Sequence, residues 1–197
     1  MKLPNLKSYI QVLDDVMPAE MCEGLIELFD RRPQDRVERD DDVKHFSEVD
    51  MFNAPAGSGW SVYSEPMAKL MSSTANEYFS DIPDAFLPDG FDKLEEFEYP
   101  RIKRYEPLVG QFDWHTDNCN SESSQRLLVM FWYLNDVEEG GETVFGGCTK
   151  INEPRISVKP KRGRVVCFPP FFMFPHKGCF PISNPKYVIS SYVNVPS

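Results

Sequence analysis

No stretch of this chain stays apolar for the roughly 20 residues that a membrane-spanning helix needs, and no charged-then-apolar segment stands near its start. A soluble, cytoplasmic protein is the expectation. Basic residues are in deficit: 21 Lys and Arg against 31 Asp and Glu give a net charge of −10. That argues against nucleic acid or an anionic membrane as partner, because phosphate contact needs a basic face. Cysteine is sparse as well. The five, Cys22, Cys119, Cys148, Cys167 and Cys179, are odd in number, scattered and without a Cys-x-x-Cys pair, and read as reduced thiols of an intracellular protein. Repeats, low-complexity segments and linkers are missing too, so the 197 residues are expected to form one domain.

What is present falls into two halves. Tyr9 to Leu13 reads as a short strand, and Pro18 suits the first turn of a helix whose inner face carries Met21, Cys22, Leu25, Leu28 and Phe29. The segment Asp30 to Asp50, with Asp40-Asp41-Asp42, predicts a charged, solvated loop that holds His45. A second helix follows Pro66, with Met67, Leu70, Met71 and Tyr78 on one face. From Phe97 the pattern changes to short β-rich pieces divided by Pro, Gly and Asn: Phe97 to Tyr105, Gln111 to Asp117, Arg126 to Asn135, Arg155 to Lys159, Gly163 to Phe168 and Tyr187 to Val195. Arg126 to Leu134 is nearly continuous in apolar residues, as a strand buried on both faces would be. Glu139-Gly140-Gly141-Glu142 then predicts a hairpin into Thr143-Val144-Phe145. The expectation is an α+β chain, residues 1–95 mainly helical support and 96–197 a jelly-roll core, a double-stranded β-helix.

Chemistry concentrates in the second half. His115 and Asp117, two apart on an extended strand, point to the same side and can grip one ion. His176, delivered by the aromatic and proline-rich run Pro169 to Pro175, completes two histidines and one carboxylate. Such a set leaves open positions on an octahedral metal, the facial arrangement of non-heme Fe(II) oxygenases. The plainer alternative is a chance His-x-Asp in a surface turn. On the last strand Lys186, Val188, Ser190 and Tyr192 share a face, and a lysine turned into a barrel needs an anion. A dicarboxylate held by the metal at one end and by Lys186 at the other, 2-oxoglutarate, meets that need. The other reading of Lys186 is a strand-edge lysine that discourages aggregation.

In order and spacing the set resembles the 2-oxoglutarate- and Fe(II)-dependent dioxygenases, in their prolyl 4-hydroxylase-like branch. The resemblance is carried by Arg104-Tyr105 before Gly110-Gln111-Phe112, His115-Thr116-Asp117, Tyr133-Leu134-Asn135, Gly140-Gly141-Glu142-Thr143-Val144-Phe145, Lys161-Arg162-Gly163, His176-Lys177-Gly178 and Lys186-Tyr187. It spans roughly the last hundred residues, with one extra residue between Gly178 and Pro181. It implies Fe(II) on His115, Asp117 and His176, and 2-oxoglutarate on Lys186 with Tyr105, Tyr133 and Ser190 around it. It also places Arg126 and Tyr192 by the substrate. The implied reaction uses O₂, with ascorbate as an optional addition, and hydroxylates a substrate C–H with release of succinate and CO₂. A prolyl residue of a peptide or protein is the implied target. Hydroxylation of another residue or a small molecule stays open. So does a jelly-roll module that keeps a metal without turnover, although such a module has no use for Lys186.

Overall fold

The computed structural model describes residues 6–80, 82, 87, 96–146 and 154–195. After strand β1 (Gln11–Leu13), Pro18 caps helix α1 (Ala19–Arg31), whose buried stripe is Cys22, Leu25, Leu28 and Phe29. Strands β2 (Val37–Asp40) and β3 (Lys44–Asp50) come next, and helix α2 (Ser64–Phe79) buries Met67, Met71, Ala75 and Tyr78. The remaining strands are β4 (Arg101–Tyr105), β5 (Gln111–His115), β6 (Arg126–Tyr133), β7 (Thr143–Gly146), β8 (Pro154–Val158), β9 (Val165–Phe168), β10 (His176–Gly178) and β11 (Lys186–Asn194). None of the described helices is long and apolar enough to cross a membrane.

One antiparallel sheet runs β1-β9-β6-β11-β4-β3 and continues through β3 into β5-β10-β7-β8, with β2 beside β3. It folds over on itself as a jelly roll, with both helices on the outside of the first six strands. Period-2 alternation explains the layering. On β6, Leu128, Met130 and Trp132 enter the core shared with α1 and α2, while Val129 and Tyr133 enter the barrel. β9 divides in the same way, Val165 and Cys167 outward and Val166 and Phe168 inward. β11 sends Tyr187, Ile189 and Val193 to the helices, Val188 and Tyr192 to the barrel. The continuous apolar run of β6 therefore serves two cores.

Three expectations are corrected. Residues 30–50 are not a solvated loop: β3 is paired on both sides, with β4 and β2, and its end also reaches β5. Its charges are absorbed locally, Arg39 Nη2 lying 2.7 Å from Glu48 Oε1 and His45 Nδ1 2.7 Å from Asp40 Oδ1. The charged, fully exposed β2 serves as the kind of edge strand that resists further pairing. Nor do β6 and β7 form a hairpin. β6 is occupied on its two edges by β11 and β9, and β7 by β10 and β8, so the segment between them crosses from one half of the sheet to the other. The turn itself is real, with Gly140 and Gly141 at φ +75° and +78°. Asn135 ties its start to β11: its Oδ1 accepts from Tyr187 N at 2.9 Å and its Nδ2 donates to Pro185 O at 2.8 Å. The strand read as Phe97 to Tyr105 begins at Arg101, after Pro100, and Phe97 forms only an isolated bridge to Val193. Of the five cysteines, Cys22, Cys119, Cys167 and Cys179 are free thiols, and Cys148 lies outside the described residues.

Candidate metal centre

The register of β10 on β5 sets His176 opposite His115, and Asp117 follows two residues after His115. Ligand atoms of the three side chains all lie within 4.8 Å of one another. Asp117 Oδ2 is 3.3 Å from His176 Nε2, and Asp117 Oδ1 is 3.8 Å from His115 Nε2. Each imidazole is locked from behind. His115 Nδ1 donates to the carbonyl of Asp113 (2.7 Å) and His176 Nδ1 to that of Phe174 (3.1 Å). A carbonyl can only accept, so each Nδ1 carries a proton and each Nε2, turned toward Asp117, is the atom available to ligate a metal. Phe112 stacks on His115 with centroids 3.5 Å apart, and Phe168 meets His176 edge-on at 4.7 Å.

Three buried atoms, His115 Nε2, His176 Nε2 and Asp117 Oδ2, have no hydrogen-bond partner within the protein. Converging lone pairs of this kind are costly unless a cation joins them, and two neutral imidazoles with one carboxylate are the donor set of Fe(II) oxygenases. Burial pushes His115 down to about 3, which favours the neutral, ligating form of its ring. Burial by itself would raise the Asp117 carboxyl, but positive charge beside it, Lys103 included, outweighs burial and holds Asp117 well below the usual range; a bound cation would act in the same sense. The residues present fit a divalent metal such as Fe(II).

Behind Asp117 runs a chain of polar contacts. Tyr192 donates its hydroxyl to Asp117 Oδ1 at 3.1 Å, and Arg126 lies over the Tyr192 ring at 3.7 Å while donating Nη1 to Asp117 O at 2.9 Å. Arg126 is itself held by Glu98 through Nε (2.5 Å) and Nη2 (2.9 Å). The two residues assigned to substrate from sequence are thus tied to the backbone and carboxylate of Asp117. Both also line an outer cleft of about 760 Å³ that opens beside His115 and Asp117, edged by the β2–β3 turn and by Asn120, Glu122 and Ser123.

An inner pocket leads away from the histidines to Lys186. Lys186 is 2% exposed. Its Nζ donates to Gly141 O (3.0 Å) and Cys179 O (3.2 Å) and lies 4.2 Å above the Tyr105 ring. Burial lowers its pKa to about 8. Ser190 Oγ is buried on the pocket wall without a partner. Tyr133 does not line the pocket; its hydroxyl donates to Thr143 Oγ1 at 2.6 Å, which leaves the Thr143 hydroxyl proton free to point inward. Thr143 was quoted within a motif but given no role from sequence. Lys103, also in the wall, was missed although it is two residues from Tyr105 on one strand face. Glu98 carried no sequence signal.

The profile of the 2OG-Fe(II) oxygenase superfamily matches residues 100–194. Among curated proteins, the chain is similar to prolyl 4-hydroxylase 1 of Arabidopsis thaliana (31% identity, 81% of this chain, 56% of that protein). It is likewise similar to the same plant's probable prolyl 4-hydroxylase 3 (30% identity, 56% of this chain, 45% of that protein). The chain spans about half the length of the curated relatives it matches. In fold it is similar to a prolyl-4-hydroxylase of Pseudomonas putida (17% identity, TM-score 0.68, 96% of this chain and 94% of that one). A prolyl hydroxylase from Trichoplax adhaerens, solved with a peptide of hypoxia inducible factor, gives a TM-score of 0.69 at 13% identity over 95% of this chain and 84% of that one. The sequence profile, the jelly roll and the His-Asp-His cluster agree: residues 100–194 match the 2OG-Fe(II) oxygenase superfamily, and the chain is similar to prolyl 4-hydroxylases.

Proposed function

We propose that this protein is a 2-oxoglutarate- and Fe(II)-dependent dioxygenase that hydroxylates a prolyl residue of a peptide or protein, releasing succinate and CO₂. The observation that carries the reading is the pairing of three orphaned, preorganised ligand atoms with a buried lysine at the far end of one pocket. His115 Nε2, His176 Nε2 and the Asp117 carboxylate would hold Fe(II), which with 2-oxoglutarate and O₂ supplies the oxidising chemistry.

The chain's own residues bind, orient and shield. The carbonyls of Asp113 and Phe174 keep both imidazoles in the ligating tautomer. Tyr192 and Arg126 hold the Asp117 carboxylate and backbone in place and leave their other surfaces to the cleft where substrate would lie. Lys186 would pair with the distal carboxylate of 2-oxoglutarate, above Tyr105 and beside Ser190 and the Thr143 hydroxyl that Tyr133 orients. Phe131 and Val188 make the walls between the two ends apolar and keep water from the reacting atoms. The relatives' names support proline as the target, and the free thiols support a reducing, cytoplasmic compartment.

The test is succinate formation from 2-oxoglutarate with Fe(II), ascorbate and air, over a panel of proline-containing peptides, with His115→Ala as control. Succinate that requires His115 and rises with one peptide class is the expected result. Bound metal and bound 2-oxoglutarate without turnover on any peptide would overturn prolyl hydroxylation as the activity.

A further inference from the structure

Lys186 has a counterpart that the proposed co-substrate site does not use. β4 sends Ile102 outward to the helices and Lys103 and Tyr105 into the barrel. Its register on β11 sets Tyr105 opposite Lys186 and Lys103 opposite Val188, so the two lysines are diagonal neighbours across adjoining strands, Lys103 one step nearer the mouth. Lys103 is 6% exposed and stands in the wall shared by the inner pocket and the outer cleft. Its ammonium is 5.2 Å from the Phe46 ring and 6.0 Å from Phe112, the ring that stacks on His115.

Among the described residues, no carboxylate is in ion-pair contact with it. Glu48, its partner across β3, attracts it from beyond contact and gives Oε1 to Arg39, and Asp117 attracts it less and gives Oδ1 to Tyr192. Two rings at these distances attract a cation weakly, and the loss of its hydration is the larger effect. Burial accordingly lowers its pKa to about 8. As packing alone, a methionine or leucine would serve the fold better there.

We propose that Lys103 is a second carboxylate-binding residue of this chain, placed at the metal side of the barrel. The proposal rests on the 2-oxoglutarate oxygenase reading of His115, Asp117, His176 and Lys186. Because Lys103 borders both spaces, the carboxylate is either the one that 2-oxoglutarate carries next to its keto group or one on the substrate close to the hydroxylated carbon.

The test uses full-length protein loaded with Mn(II), which binds without turnover, and calorimetric titration of wild type, Lys103→Met and Lys186→Met. The ligands are 2-oxoglutarate and 2-oxobutanoate, which keeps the keto acid and lacks the distal carboxylate. If the co-substrate supplies the carboxylate, K103M weakens both ligands tenfold or more, whereas K186M weakens 2-oxoglutarate alone. If the substrate supplies it, K103M leaves both within twofold. It then weakens a proline peptide with an adjacent aspartate tenfold, and leaves the asparagine version unaffected. Changes below twofold in every arm overturn the proposal while the oxygenase reading stands. A wild type that binds neither Mn(II) nor 2-oxoglutarate removes the reading and the proposal with it. Mn(II) affinity reports an intact fold, and Lys103→Gln, of similar length and polarity, runs in parallel should the methionine variant lose it.

Discussion

At the scale of single residues, one buried charge, that of Lys186, decides how the pocket responds to pH. Lys186 ionises ordinarily at 10.5, and burial brings it to about 8. Pairing with a carboxylate needs the protonated form, so 2-oxoglutarate should bind with constant affinity below pH about 8. Above that value Kd should rise by up to tenfold per pH unit. Calorimetry on Mn(II)-loaded protein between pH 7 and 10 measures it, and a flat profile would remove Lys186 from the ligand. The same depressed pKa means that the charged lysine opposes folding in full below pH about 8, and that its penalty fades as pH rises toward 10.5. Lys186→Met should therefore melt higher than wild type without ligand, yet bind 2-oxoglutarate at least about 2 kcal/mol, some thirtyfold, more weakly. Tyr192→Phe removes one hydroxyl from Asp117 Oδ1. Its effect should be a roughly 10- to 100-fold loss of metal affinity, read by competition with a chelating dye. The ligands were legible because His-x-Asp and a distant histidine declare themselves by residue type. Their locks were not, because the carbonyls of Asp113 and Phe174 have no side-chain signature.

Elements show a different boundary of legibility. Periodicity located both helices and most strands, since burial on one face leaves a trace in the order of residues. It failed where charge and turn chemistry are local and pairing is not. The acidic 30–50 segment looks solvated until Arg39 and Glu48 are seen to neutralise each other across β2 and β3. Gly140-Gly141 looks like a hairpin until β9 and β11 are found to occupy both edges of β6. What the turn does serve is Lys186. Gly141 combines φ +78° with a carbonyl that accepts from Nζ, and a Cβ there would stand 3.3 Å from Val137 Cγ1. Gly141→Ala should destabilise the fold by about 1–2 kcal/mol through the left-handed backbone, measured by urea unfolding. It should also weaken 2-oxoglutarate, because the carbonyl that shares the ammonium moves. Unchanged binding with the stability lost would confine the glycine to the fold.

For the whole molecule, composition indicated one acidic α+β domain and the motif order indicated the barrel, but only the assembled sheet shows why the metal matters to it. The helix-backed strands are joined by a large shared core that includes Trp60, Trp132 and Phe29. His115 and His176 lie instead on β5 and β10, in the half of the sheet without helices, where the interior is thinner and its centre is three unpaired ligand atoms. A divalent ion there would close a contact that apolar packing does not supply. It would stabilise the native state alone, because Asp117 and the two imidazoles converge only when β5 and β10 are paired. At a free concentration 100 times its Kd, Mn(II) should add about 2.7 kcal/mol, which for a chain of this size raises Tm by roughly 5–10 °C. A chelator should reverse the shift. His176→Ala should abolish it while leaving the helix-side core in place, so its metal-free Tm should stay within a few degrees of wild type, the measurement being differential scanning calorimetry with and without Mn(II). A shift of equal size in His176→Ala would mean that the metal stabilises the protein from elsewhere, and the assignment of the centre to β5 and β10 would fall.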